Sequence, residues 1–144
     1  MLGYHRRMSR FQFALAALLL SLAACASTGH MSDSDKLALY SSHAGAPVRD
    51  IRYNTPIGWD KIDDQHLLLT IRPTEAWLLR ISGPCMDWAG ATPTIVISPV
   101  AGGRLSAKFD RIHTPESPVS CRIEEIRPVD VAAVRASQQA MAAN

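Results

Sequence analysis

The stretch from His66 to Ile81 limits what this chain can fold into more than any other. Leu67, Leu69 and Ile71 alternate with His66, Leu68, Thr70 and Arg72. Beyond Pro73-Thr74, Trp77, Leu79 and Ile81 alternate with Ala76, Leu78 and Arg80. A period of two marks a strand with one face in a core, so the two runs predict a β-hairpin. Pro73 has no N–H to give to the ladder, which puts a tip of a few residues there. Leu68 and Leu78 make the second face partly apolar too. A hairpin of that kind belongs at the centre of a sheet or inside a curled one.

Shorter runs of the same period flank the hairpin. Val48–Tyr53 and Trp59–Ile62 are strand candidates split by the turn-like Asn54-Thr55-Pro56. Thr94–Ser98 is β-branched, and Leu105, Ala107 and Phe109 alternate on one face after the turn Ala101-Gly102-Gly103. Cys121–Ile126 reads as the last strand. Two helices frame this β region. The first starts at a Ser32 or Ser34 cap and runs to about His43, with Leu37, Tyr40 and Ala44 on one stripe and Asp33 and Asp35 at its positive end. The second runs from Pro128 to about Met141, with Val131, Val134 and Met141 near one stripe. The expectation is an α+β fold, mainly antiparallel β: a small curled sheet or barrel-like meander with a short N-terminal helix and a C-terminal helix. It occupies residues 32–136, with a frayed tail at 137–144.

The first 24 residues have a different plan. His5, Arg6, Arg7 and Arg10 form a basic start, and Phe11–Leu22 is apolar except for Gln12 and Ser21. That run is shorter than the roughly 20 apolar residues a membrane span needs, and fits an export leader. Met8 serves as well as Met1 for its start, since Arg10 still precedes the apolar run. Met8-Ser9-Arg10 after Arg6-Arg7 favours the general secretory route over twin-arginine export. Leu22-Ala23-Ala24-Cys25 closes the leader and resembles the lipobox of bacterial lipoproteins. The resemblance implies cleavage before Cys25 and acylation of its sulfur and new amine. Acyl chains, at about 0.8 kcal/mol per buried methylene, anchor tightly. Residues 25–31 would then be a polar tether. Ala26, where Asp resembles an inner-membrane retention signal, points to the outer membrane facing the periplasm. Plain secretion to the periplasm, by cleavage at an A-x-A-like site, is the alternative.

Charge excludes some partners. The chain carries 15 Lys and Arg against 13 Asp and Glu, and Arg6, Arg7 and Arg10 leave with the leader. The mature balance is 12 − 13 = −1, with the signs interspersed. Nucleic-acid binding would need clustered Lys and Arg on one face, and a polybasic membrane patch is lacking too. The remaining partners are the membrane through its lipid anchor and an unknown envelope protein or glycan.

Cys85 and Cys121 are the cysteines left after Cys25. In an oxidising periplasm such a pair reads as a structural disulfide, worth roughly 4 kcal/mol on a chain-entropy estimate. A reactive thiol or a redox couple is the rival, although there is no C-x-x-C, and Gly83-Pro84 beside Cys85 is turn chemistry.

Several phrases occur together: Thr70-Ile71-Arg72-Pro73-Thr74-Glu75-Ala76-Trp77-Leu78-Leu79, Gly83-Pro84-Cys85, Phe109-Asp110-Arg111, and Cys121-Arg122-Ile123-Glu124-Glu125-Ile126-Arg127-Pro128-Val129-Asp130. Together they resemble an uncharacterised family of small exported proteobacterial proteins, domain-of-unknown-function family 6491, over roughly Ala44 to Arg135. The resemblance implies a Cys85–Cys121 pair and one compact domain behind an export signal. It brings no activity or cofactor.

The residues offer little chemistry of their own. Asp60, Asp63, Asp64 and His66 are the densest set of metal-ligand types, but a solvated turn in which Asp accepts backbone amides explains them better. Asp110, His113 and Ser106 or Ser120 contain the residue types of a triad without a nucleophile elbow. His113 reads as a loop residue. Asp110-Arg111, and Glu124-Glu125 near Arg127, read as strand-face ion pairs. Of the tryptophans, Trp77 is expected in the core, Trp88 over the disulfide and Trp59 partly exposed, with a glycan- or partner-facing role open to them. The expected function is a lipid-anchored, non-enzymatic binding or interaction module. The alternative is a periplasmic, hydrolase-like enzyme whose site only the fold assembles.

Overall fold

The structure, a computed structural model, describes residues 30–86, 94–98 and 102–143. The leader, Cys25, most of the tether and Trp88 lie outside the described residues. The chain divides into residues 1–31 and residues 32–144, and everything below concerns the second unit. Among the described residues no helix is long and apolar enough to cross a membrane.

Helix α1 spans Asp33–Ser42 and is capped by Ser32, whose hydroxyl accepts from the Asp35 amide at 3.2 Å. Strands follow at Asp50–Arg52 (β1), Gly58–Lys61 (β2), His66–Arg72 (β3), Glu75–Ile81 (β4), Val96–Ser98 (β5), Arg104–Ser106 (β6), Arg111–His113 (β7) and Cys121–Val129 (β8). Helix α2 spans Val131–Ala142. The six-stranded sheet has the order β2-β3-β4-β8-β7-β5, all antiparallel, and β1 pairs with β6 in a second, two-stranded sheet. The architecture of the described residues is therefore two helices with a mainly antiparallel, curled half-barrel sheet.

The predicted hairpin is β3–β4. Leu67 faces Leu79 and Leu69 faces Trp77, with a register shift between Thr70 and Arg72 that absorbs the Pro73-Thr74 tip. Its two apolar faces serve two cores. Leu67, Leu69, Ile71, Leu79 and Ile81 pack with Ile51, Leu105, Ile112, Ile123 and Ile126 inside the curl. Leu68, Ala76 and Leu78 pack on the other side with Ile62, Val129 and Val134, against Leu37, Leu39 and Tyr40 of α1. Burying both faces of a hairpin requires cover on both, and the helices supply the second. Trp77 packs against the first core but is only partly buried, its indole N–H donating to Glu75 Oε1 at 3.2 Å. Trp59 packs there in the same half-buried way.

Strand β8 holds the sheet together along both of its edges. One edge pairs with β4 from Ile81↔Ile123 to Ala76↔Val129. The other is shared by β7 at Cys121 and Arg122, the Lys108 amide on Ile123 O, Val48 on Ile126 O and Gly45 on Pro128 O. The second helix thus begins later than the sequence suggests. Pro128 lies inside β8, and Asp130 caps α2 by accepting from the Ala133 amide at 3.0 Å. Carbonyls of residues 126 and 128 point to the second edge, so the proline nitrogen faces that irregular edge too. No hydrogen bond of the β4 ladder is lost.

Other expectations change for local reasons. Leu105 and Ala107 are buried, but Phe109 is 61% exposed. Lys108 adopts a left-handed φ of 72°, which ends the β6 alternation and turns Phe109 outward. Met141 is exposed, because α2 buries only Val134 and the stripe stops there. The helix continues to Ala142, and Ser137 meets His43 Nε2 of the α1 end at 2.9 Å.

Cys85 and Cys121 form a disulfide with a Cα–Cα distance of 5.6 Å. Both are buried, and the bridge ties the loop after β4 to the start of β8, beside Ile112 of β7.

Candidate outer-face groove

Strand β7 carries Ile112 inward to the core and its neighbours Arg111 and His113 outward, as a period of two demands. Its partner β5 sets Val96 opposite His113 and Ser98 opposite Arg111, on the same outer face. The loop before β8 brings Ser117, Pro118, Val119 and Ser120 alongside, and Phe109 stands at the end before β7. Together these line an open groove of about 550 Å³. Phe109 and Val119, 61% and 58% exposed, are two of the large apolar side chains that the fold leaves in solvent. His113 is thus on a strand and not in a loop.

The walls of the groove are fixed by hydrogen bonds. Arg111 donates through Nε to Ser120 Oγ at 2.7 Å and through Nη2 to the Ser120 carbonyl at 2.5 Å. Ser117 Oγ lies 2.9 Å from the Cys85 carbonyl and 3.0 Å from the Val119 carbonyl, and its one proton, given to Cys85, hooks the loop to the disulfide. The register sets Arg122 of β8 directly opposite Arg111. Arg122 is matched by Glu124 at 2.8 Å, and Lys108 reaches the same carboxylate at 2.5 Å. The Lys108 ammonium first, then the Arg122 guanidinium, hold the Glu124 carboxyl below the usual range. Among the described residues Arg111 has no acidic partner, and no acidic side chain lines the groove.

The triad does not assemble as one site. Asp110 is fully buried, and its carboxylate accepts from the Ser106 amide at 2.5 Å inside the turn between β6 and β7. His113 and Ser120 line the outer groove instead. The expected ion pairs differ as well: Glu125 meets Arg80 at 3.7 Å, and Arg127 donates to the carbonyls of Gly45 and Ala44.

The acidic cluster before β3 is a turn. Asp63 Oδ1 accepts from the amides of Gln65 and His66, both at 2.7 Å, and from the His66 ring at 2.9 Å. Asp64 turns to Lys61 at 2.8 Å, and Asp60 projects from β2 on the helix side, opposite Leu68. Among the described residues no group of three such side chains is placed to hold a metal ion.

A second groove of about 320 Å³ follows the seam between helices and sheet, with Tyr40, Ile57, Leu68, Val134, Arg135 and Gln138 in its walls. Burial first, and the nearby Asp60 second, raise the Tyr40 phenol above its ordinary pKa, against a hydrogen bond from Gln138. Arg135 is spent on the Pro73 carbonyl at 2.9 Å. This groove is largely the open end of the helix-side core.

Sequence reasoning reached His113 and Ser120 through a triad that does not form, and missed Phe109, Arg111 and Val119 as a surface. Their signal was the odd company they keep: an aromatic and an aliphatic residue left outside, next to an unmatched arginine. No curated protein and no solved structure matches the chain. A family model does match, over residues 8–144, wider than the Ala44–Arg135 core where the shared phrases lie. The chain belongs to the family of unknown function DUF6491.

Proposed function

We propose that this chain is a lipid-anchored envelope protein, acylated at Cys25 and held at the outer membrane facing the periplasm. Its β-rich domain is a non-enzymatic binding module that meets its partner at the outer-face groove. The anchor rests on Leu22-Ala23-Ala24-Cys25 behind a basic, then apolar leader, and the outer membrane on Ala26. The observation that carries the binding role is the groove. Phe109 and Val119 stay in solvent at an open depression that also offers Arg111 and His113. A module of this kind needs a rigid frame more than a reactive group, and the disulfide and double core supply one.

The test uses the full-length chain in the cells that make it. A photoreactive diazirine residue at Val119, which inserts into C–H and O–H bonds of protein and sugar alike, is expected to give a discrete adduct in intact envelopes. The same residue at Gln139, on the exposed side of α2, is expected to give none. Absence of an adduct at Val119 overturns the binding surface. Labelled palmitate is expected in the chain and lost in Cys25→Ser; a chain that never takes the label overturns the anchor.

A further inference from the structure

We infer that the outer-face groove is a site for an acidic carbohydrate, a sugar chain carrying carboxylates; the inference rests on that groove being the binding surface. Three features of the same face lead to this class. The first is charge. Arg111 and Arg122 face each other across β7 and β8, an arrangement that costs stability unless something negative lies between or beside them. Glu124 answers Arg122 and Lys108, and Arg111 is left with no acidic side chain among the described residues. Three cations against one carboxylate leave this face two positive charges in excess, and Arg111 is the one that lines the groove.

The second is preorganisation. Ser120 holds the Arg111 guanidinium through Nε and Nη2, leaving Nη1 without a partner among the described residues. A guanidinium already fixed in place loses little freedom when its outer end takes a carboxylate, and its planar fork matches the two carboxylate oxygens.

The third is the mixture of surfaces. Phe109 and Val119 share the groove lining with Ser98, Arg111 and His113, so apolar and polar side chains are mixed on one face. A protein partner's apolar anchors want a continuous apolar patch, whereas a sugar ring presents polarised C–H bonds on one side and hydroxyls around its rim. The negative face of an aromatic ring suits those C–H bonds. The imidazole of His113 and the Ser98 hydroxyl suit the rim, and the open shape admits a chain that continues past either end.

Oligogalacturonate is the probe, with maltooligosaccharide of equal length as the neutral control and oligoglutamate as the acidic peptide control. Titration of the full-length chain in a neutral detergent, followed by amide chemical shifts, is expected to move Arg111, His113 and Ser120 with oligogalacturonate. The neutral sugar is expected to bind about tenfold more weakly. Arg111→Lys keeps the charge but loses the fork, and is expected to weaken binding about tenfold. Phe109→Ala, at an exposed position, is expected to weaken it severalfold with an unchanged melting temperature. Equal binding of the neutral sugar, equal or tighter binding of oligoglutamate, shifts confined to another face, or no binding at all each overturn the inference. The Val119 photoadduct reports separately on the surface itself. An adduct without oligosaccharide binding discards the acidic sugar and keeps the groove; loss of both discards the groove.

Discussion

Asp63 shows how much local order one carboxylate creates. Partial burial by itself would raise its pKa; the Gln65 amide, the His66 imidazole and the His66 amide outweigh that and hold it below the ordinary carboxylate value. A carboxyl with a depressed folded pKa contributes stability above its unfolded value and loses it as pH falls through the folded one. Asp63→Ala is expected to cost about 1–2 kcal/mol at neutral pH, as removal of a capping acceptor does. Urea denaturation across acidic pH should show that difference shrinking as the wild-type carboxyl is protonated. A difference that stays constant would mean that the ionised form of the carboxyl adds nothing to the turn. At this scale the sequence was readable: Asp next to Gln and His in a short link between strands is turn chemistry, and Asp63 forms that turn. Arg111 was less readable, since its lack of an acidic partner depends on a residue of another strand.

Elements were legible in proportion to their length. The β3–β4 hairpin repeats its pattern often enough to declare itself, down to the two-faced burial implied by Leu68 and Leu78. Strand β7 is three residues with one apolar member, so it has no period to detect and is held by partners on both sides. Pro128 misled because proline opens helices more often than it sits in inner strands, and only the direction of its nitrogen makes the strand acceptable. The same residue makes a sharp demand on its neighbour. A Cβ built on Gly45 would lie 2.9 Å from Pro128 Cγ, while the Gly45 amide donates to the Pro128 carbonyl at 2.8 Å. Gly45→Ala is expected to destabilise by about 1–3 kcal/mol, the usual cost of forced overpacking. Chemical denaturation of the variant measures it; a change within about 0.5 kcal/mol would show that the segment from α1 to β1 yields freely.

For the whole molecule, the disulfide and the double core set the stability. Cys85→Ser with Cys121→Ser is expected to lower it by about 2–5 kcal/mol, read as a drop in melting temperature that reductant reproduces in the wild type. Equal melting with and without reductant would show a bridge that adds nothing. The groove could not be read from the sequence because its walls come from β5, the turn before β7, β7 itself and the loop before β8. Those segments meet only once the sheet has curled.

The strand at the centre of the six-stranded sheet is also the last one made. A polypeptide that stops short of Cys121 has the β3–β4 hairpin but no β8 for β4 to pair with. Both cores contain side chains of β8 (Cys121, Ile123 and Ile126 in one, Val129 in the other), so neither closes until that strand has docked.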